Sequence, residues 1–211
     1  IKLKGKIGDL SFYKTQDGHL AREKGGVDAS RIANDPAFVR TRENGAEFGS
    51  SAGSGKVLRD ALRTMLMTAS DNRVTSRLTK LMTDIKNLDA ISARGLRTVG
   101  TAIALPTAKA LLKGFNFNSK AILGGVLYKP YVVNTGTGVI TINGLVPIND
   151  IAYPSGSTHV SMKGAWGKID FATGIFDVQF SNTVNLPIDG ALTNAILTPA
   201  TPPVGGGTDV Y

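Results

Sequence analysis

Between Lys56 and Leu88 the apolar residues recur at helical spacing. Lys56–Ala69 places Leu58, Leu62, Met65 and Ala69 on one stripe. Residues 72–92 carry Val74, Leu78, Leu81, Ile85 and Leu88 at alternating steps of four and three. Ser70-Asp71-Asn72 is a polar break with capping chemistry, so the two stretches predict an antiparallel helical hairpin. A shorter helix, Pro106–Lys113, has Pro at its start and Gly114 as its stop. From residue 121 the pattern turns to short β-rich runs: Ala121–Tyr128, Tyr131–Asn134, Gly138–Ile142, Val146–Ala152, Thr158–Lys163, Lys168–Phe171, Ile175–Phe180 and Ala191–Leu197. Thr135–Gly138 and Ala172–Gly174 supply hairpin turns. Strands at this spacing predict an antiparallel β-sandwich or a jelly-roll-like domain. Thr198–Tyr211 is rich in Pro and Gly and shows no core pattern.

The first residues alternate as a strand does. Residues 2–24 predict a β-hairpin or a three-stranded meander, with Ile7, Leu10, Phe12 and Tyr13 in one strand. Gln16-Asp17-Gly18 forms the turn, His19–Arg22 returns, and Gly25-Gly26 ends the element. Lys2, Lys4 and Lys6 fall on one face of the extended chain, which blunts a sheet edge and also suits an anionic neighbour. Residues 28–55 resemble a connector. Asp28 or Ser30 caps a short helical turn, Ala37–Phe48 forms a second short helix behind Pro36, and Gly49–Gly55 is a flexible Gly/Ser hinge. The fold class expected from these patterns is α+β. It comprises a β-hairpin arm and connector (1–55), a helical module (56–115), a β-sandwich (116–197) and a tail (198–211).

Charge divides along the same line. Residues 1–120 hold 21 Lys and Arg against 11 Asp and Glu, whereas residues 121–211 hold 3 against 5. The whole chain carries a formal +8, which favours polyanionic partners such as nucleic acid. A hydrophobic share of 42% with 19% charged residues is enough for a packed core. No apolar run approaches the ~18 residues of a membrane-spanning helix. The chain opens at Ile1 without Met, which leaves a preceding segment open.

Candidate chemistry is sparse. The chain has no Cys, which removes disulfides, thiolate metal sites and Cys nucleophiles. Gly49–Lys56 invites comparison with a phosphate-binding loop, but Ser50 and Val57 break the motif and no hydrophobic strand leads into it. His19 and His159 stand alone without ligand spacing, and no Gly-x-Ser-x-Gly elbow exists. No catalytic, metal or cofactor-binding residue is assigned, and no cofactor is expected. The residues expected to contact other subunits or a polyanion are Lys2, Lys4, Lys6, Phe12, Tyr13, Lys14, Arg22, Lys24, Arg40 and Arg42. Phe12 and Tyr13 beside Lys14 offer stacking next to phosphate pairing.

The stretch IKLKGKIGDLSFYKTQDGHLAREKGGV, followed by RIANDPAFVRTRENGAEFG, resembles the opening of an uncharacterised family of small Bacteroidota proteins. The shared elements are a Gly-x-Ile-Gly-x-x-x-Phe-Tyr-Lys…Asp-Gly…Ala-Arg hairpin and an Arg-Thr-Arg-Glu-Asn segment, over residues 1–50. The resemblance implies a helical stretch followed by a β-rich half, and no signal peptide, because relatives start just before this segment. It names no activity.

Three function classes follow. The favoured one is a non-enzymatic, self-assembling subunit of a filament, tube or phage-like particle, extracellular in preference to a cytoplasmic alternative, whose β-arm adds to neighbouring copies of itself. The alternatives are a basic nucleic-acid-associated protein and an adhesin-like or ligand-binding surface module.

Overall fold

The computed structural model describes residues 3–23, 26–69 and 71–211. Lys2 and Lys24 of the expected contact set, Gly25 of the hairpin end and Ser70 of the interhelical break lie outside the described residues. The protein is α+β, with its longer helices and its antiparallel sheets in different stretches of the chain. Two compact units divide it, residues 1–44 and 45–211.

In the first unit, β1 (Gly5–Ile7), β2 (Leu10–Thr15) and β3 (Gly18–Glu23) form an antiparallel meander. Alternation alone puts Ile7 in one strand with Leu10 and Phe12. Instead Gly8, at φ 58°, turns the chain so that Ile7 pairs opposite Leu10. The Asp17-Gly18 turn forms as its residues predict: Gly18 takes φ 129°, and Thr15 Oγ1 accepts from Asp17 N at 3.2 Å. The helix α1 (Ala29–Asn34) starts at Asp28, whose carboxylate accepts from Ser30 N at 2.7 Å. Asp35 repeats the device for a 3₁₀ turn at Pro36–Phe38, accepting from Ala37 N at 2.9 Å.

The expected Gly/Ser hinge is a helix. The helix α2 (Val39–Ala61) includes Gly49–Gly55 without interruption. Gly and Ser are weak helix formers, each Gly costing ~1 kcal/mol relative to Ala. Packing outweighs that cost here. Ser51, Ser54, Gly55, Leu58 and Ala61 are buried, and Gly55 brings the backbone close to Leu78. Ser51 Oγ donates to Glu47 O at 2.9 Å, satisfying the buried hydroxyl within the helix. The chain breaks at Leu62 into α3 (Arg63–Ala69), and α4 (Val74–Lys86) follows. Leu58, Leu78, Met82 and Ile85 are fully buried together, with Leu62 and Leu81 packed against them. The helical spacing identified Leu58, Leu62, Leu78, Leu81, Ile85 and Leu88 of this core but missed Met82. Of the expected stripe, Met65 stays outside the cluster and Ala69 is exposed. The short helices α5 (Val99–Ala102) and α6 (Pro106–Leu112) complete it with Val99, Ala102 and Ala108.

Two runs expected to be strands are helical turns, α7 (Leu123–Val126) and α8 (Pro147–Asp150). Pro147 sits in the first turn of α8, where its missing N–H costs nothing, and Asp150 Oδ2 accepts from Val146 N at 2.7 Å. The two runs pair with each other at the isolated bridge Leu127–Ile151. The remaining β structure lies in β4 (Val132–Val133), β5 (Ile140–Leu145), β6 (His159–Met162), β7 (Ala165–Ile169), β8 (Phe176–Phe180), β9 (Val184–Pro187), β10 (Thr193–Leu197) and β11 (Thr208–Val210). They form small antiparallel sheets in the orders β10-β5-β4, β11-β7-β8 and β6-β9.

These sheets serve two cores. Ile142, Leu145, Ile151 and Ala195 are buried under Val160, Met162, Val184 and Leu186, so β5 and β10 pack on β6 and β9. The β7 sheet instead contributes Ile169, Val178 and Val210 to the helical core. The tail, which lacked a core pattern, supplies β11. Its approach requires Gly207, where a Cβ would stand 2.5 Å from the Ile169 carbonyl carbon. Asp209 Oδ1 accepts from Trp166 Nε1 at 3.0 Å, and Tyr211 stacks on the same indole.

Candidate functional site

The N-terminal sheet has two unlike faces, fixed by its register. Gly5, Phe12 and Ala21 are opposite one another, as are Ile7, Leu10 and Glu23, and Lys14 is opposite His19. Since pairs across a ladder share a face, Ile7, Leu10, Phe12 and Ala21 make an apolar strip ending in Lys14 and His19 on one side and Glu23 on the other. The opposite face carries Lys6, Ser11, Tyr13, Leu20 and Arg22. There the Arg22 guanidinium lies over the Tyr13 ring, 5.8 Å from its centre. None of the three strands has a buried residue. Ile7 is 62% exposed and Leu10 44%, large values for aliphatic side chains in a sheet.

Of the described residues in the expected contact set, Lys6, Phe12, Tyr13, Lys14 and Arg22 share this sheet, and Lys4 precedes it. Lys4, Lys6, Lys14 and Arg22 are exposed and Phe12 is half-buried. The two helical arginines differ. Arg40 is exposed on α2, whereas Arg42 turns inward and donates from Nη1 to Ile32 O at 2.7 Å and to Asp35 O at 3.0 Å. It ties the end of α1 to the start of α2. Ile7, Leu10 and Glu23 lie outside the expected contact set. The signal for them was a strand period in a segment too small to bury either face.

A second polar centre lies in the larger unit. Glu47, 3% exposed, accepts from Arg97 Nε at 2.8 Å and Arg97 Nη2 at 2.7 Å, from Gly95 N at 2.7 Å and from buried Lys86. The Arg97 hydrogen bonds outweigh the opposing effect of burial and, with Lys86 and Gly95, hold the Glu47 carboxyl well below the usual carboxylate range. Burial also works against ionised Asp89, yet hydrogen bonds from the backbone of Ser92, Thr98 and Ile91 lower it to about 2. Every carboxylate oxygen here is engaged by the protein itself, so this centre locks the 87–98 loop to α2 and α4. Asp71 plays a like role, joining Ser119 and Arg77.

Among the described residues no three His, Asp or Glu side chains group as metal ligands. His19 lies exposed in β3, and His159 shares a hydrogen bond with Thr158 Oγ1. An open cleft beside Ile103, Lys109 and Phe171 has one acid, Asp170, already hydrogen-bonded to Ala172 N and Thr173. No described helix is long and apolar enough to cross a membrane. Comparison with known proteins finds no matching family model, no matching curated protein and no matching solved structure.

Proposed function

We propose that this chain is a non-enzymatic structural subunit that self-assembles into an extracellular filament, tube or phage-like particle. Its N-terminal β-arm docks on neighbouring subunits. The observation that carries the reading is the apolar face of β1–β3, with Ile7 62% and Leu10 44% exposed. A three-stranded sheet with no buried residue gains little hydrophobic stabilisation from its own fold, and a neighbour supplies what is missing. The outer edges of β1 and β3, which pair with no other described strand, add backbone groups that join strands across subunits with little demand on sequence. In this reading the sheets around Ile142 and Leu145 form a β-sandwich body.

The exposed cations Lys4, Lys6, Lys14 and Arg40 favour a second reading, binding of nucleic acid or another polyanion. Light scattering and negative-stain imaging of the purified full chain separate the two. Assembly predicts large regular particles free of excess absorbance at 260 nm. Single chains at every concentration overturn it, and co-purified nucleic acid released by salt supports the second reading.

A further inference from the structure

We infer that the arm's partner is the same face of a second arm, stacked about a two-fold axis that crosses the strands. This inference rests on the assembly reading above and names the surface that the arm meets. The apolar strip of Ile7, Leu10, Phe12 and Ala21 is bounded along the strands by Lys14 at one end and Glu23 at the other. Neither Lys14 nor Glu23 makes an ion pair with another described residue, and both are exposed. The strip is therefore apolar in the middle and oppositely charged at its two ends.

That polarity selects the symmetry. Two such faces stack in two simple two-fold ways. An axis running along the strands sets the Lys14 end over the partner's Lys14 end, and like charges meet. An axis across the strands reverses the strip and keeps β3 over β3. Lys14 and His19 of one copy then lie over the Glu23 end of the other, twice over, while Phe12 meets Phe12 at the centre. The second arrangement buries the apolar strip and satisfies all four end charges, so the face is complementary to itself. The opposite face lacks this character, because Lys6 and Arg22 give it one sign.

The test uses the full chain and reads self-association by sedimentation velocity. Leu10→Lys abolishes the contact. Lys14→Glu and Glu23→Lys each weaken it by roughly tenfold, because each sets like charges against each other across the axis. The double variant Lys14→Glu/Glu23→Lys regains the parental association, as does a mixture of the two single variants. The natural absence of Cys permits a second measurement. Phe12→Cys is joined between chains by a bismaleimide spanning the ~10 Å between stacked sheets, and Ser11→Cys, on the other face, is not. Association that ignores the charge swaps, or efficient coupling through Ser11→Cys, overturns the two-fold stack while leaving assembly itself intact. A parent that stops at a dimer, with the swaps behaving as stated, supports the stack and overturns the larger particle. A parent that stays single at every concentration overturns both.

Discussion

The N-terminal sheet and the helical core differ in where their apolar residues end up. In α4, Leu78, Met82 and Ile85 are fully buried, whereas in β1 and β2 Ile7 and Leu10 remain largely exposed. Both segments have sound local structure: α4 keeps a regular apolar stripe, and the meander has two tight turns and a full ladder. Local pattern therefore shapes both, but only the helical stripe meets a second layer within its own unit. An element with a good pattern and no covering layer is a surface, and its stabilisation awaits contact with something else.

Substitutions that remove core volume test the comparison most severely. Leu78→Ala is expected to cost about 4 kcal/mol in denaturant unfolding, since the site is sealed on all sides. Glu47→Ala is expected to cost about 3 kcal/mol, because it leaves Lys86 buried, 5% exposed, without its counter-charge. Losses below 1 kcal/mol at both positions would show that the larger unit is loosely packed.

Acid acts on the same centre. The folded carboxyls of Glu47 and Asp89 lie below their unfolded values, so each contributes stability that is full above the unfolded range near pH ~4. The contribution is lost as pH falls toward about 2, the folded value of Asp89. Tm is expected to drop across that window, and Asp89→Asn, destabilised at neutral pH, is expected to drop less. An unchanged slope in the variant would place the acid sensitivity elsewhere.

The next effect is smaller and opposite in sign. Gly49 and Gly53 lie inside α2, and a Cβ at either would have nothing within 4 Å. Gly49→Ala and Gly53→Ala are each expected to raise stability by about 1 kcal/mol, as for exposed positions in a helix interior. A hinge would respond in the other direction, with lost solubility or assembly and no rise in Tm.

That segment also shows what a sequence hides. The stripe through Val74, Leu78 and Ile85 was legible because amphipathic period and burial coincide in α4, and the Asp17-Gly18 turn because its chemistry is local. Gly49–Gly55 reads as flexible since propensity is local, while the burial that makes it helical comes from α4. Glu47 was invisible as a hub for the same reason: its partners Lys86 and Arg97 lie 39 and 50 residues away. β11 was hidden because Gly207 makes its close approach possible and no apolar run marks it. Of the candidate surface, the cations and aromatics were legible in the alternation of residues 2–22. The exposure of Ile7 and Leu10 was not, because alternation says which residues share a face and not whether the face is covered.

The smallest effect on folding is also the sharpest probe of the comparison. Leu10→Ala removes as many atoms as Leu78→Ala, so the transfer of side chain from water is the same in kind at both sites. At Leu10 nearly half the side chain already faces solvent, and no cavity is left behind. Its cost to the single chain is therefore expected to stay within about 0.5 kcal/mol, the range for surface positions. In an assembly the same substitution removes an apolar side chain from the buried contact. It is thus expected to shift self-association while leaving the dilute-solution Tm in place, the reverse of the outcome for Leu78→Ala. Paired measurement of Tm and sedimentation on the two variants decides the matter. Should Leu10→Ala lower the Tm of the dilute chain as Leu78→Ala does, Leu10 is a core residue and the arm is no free surface.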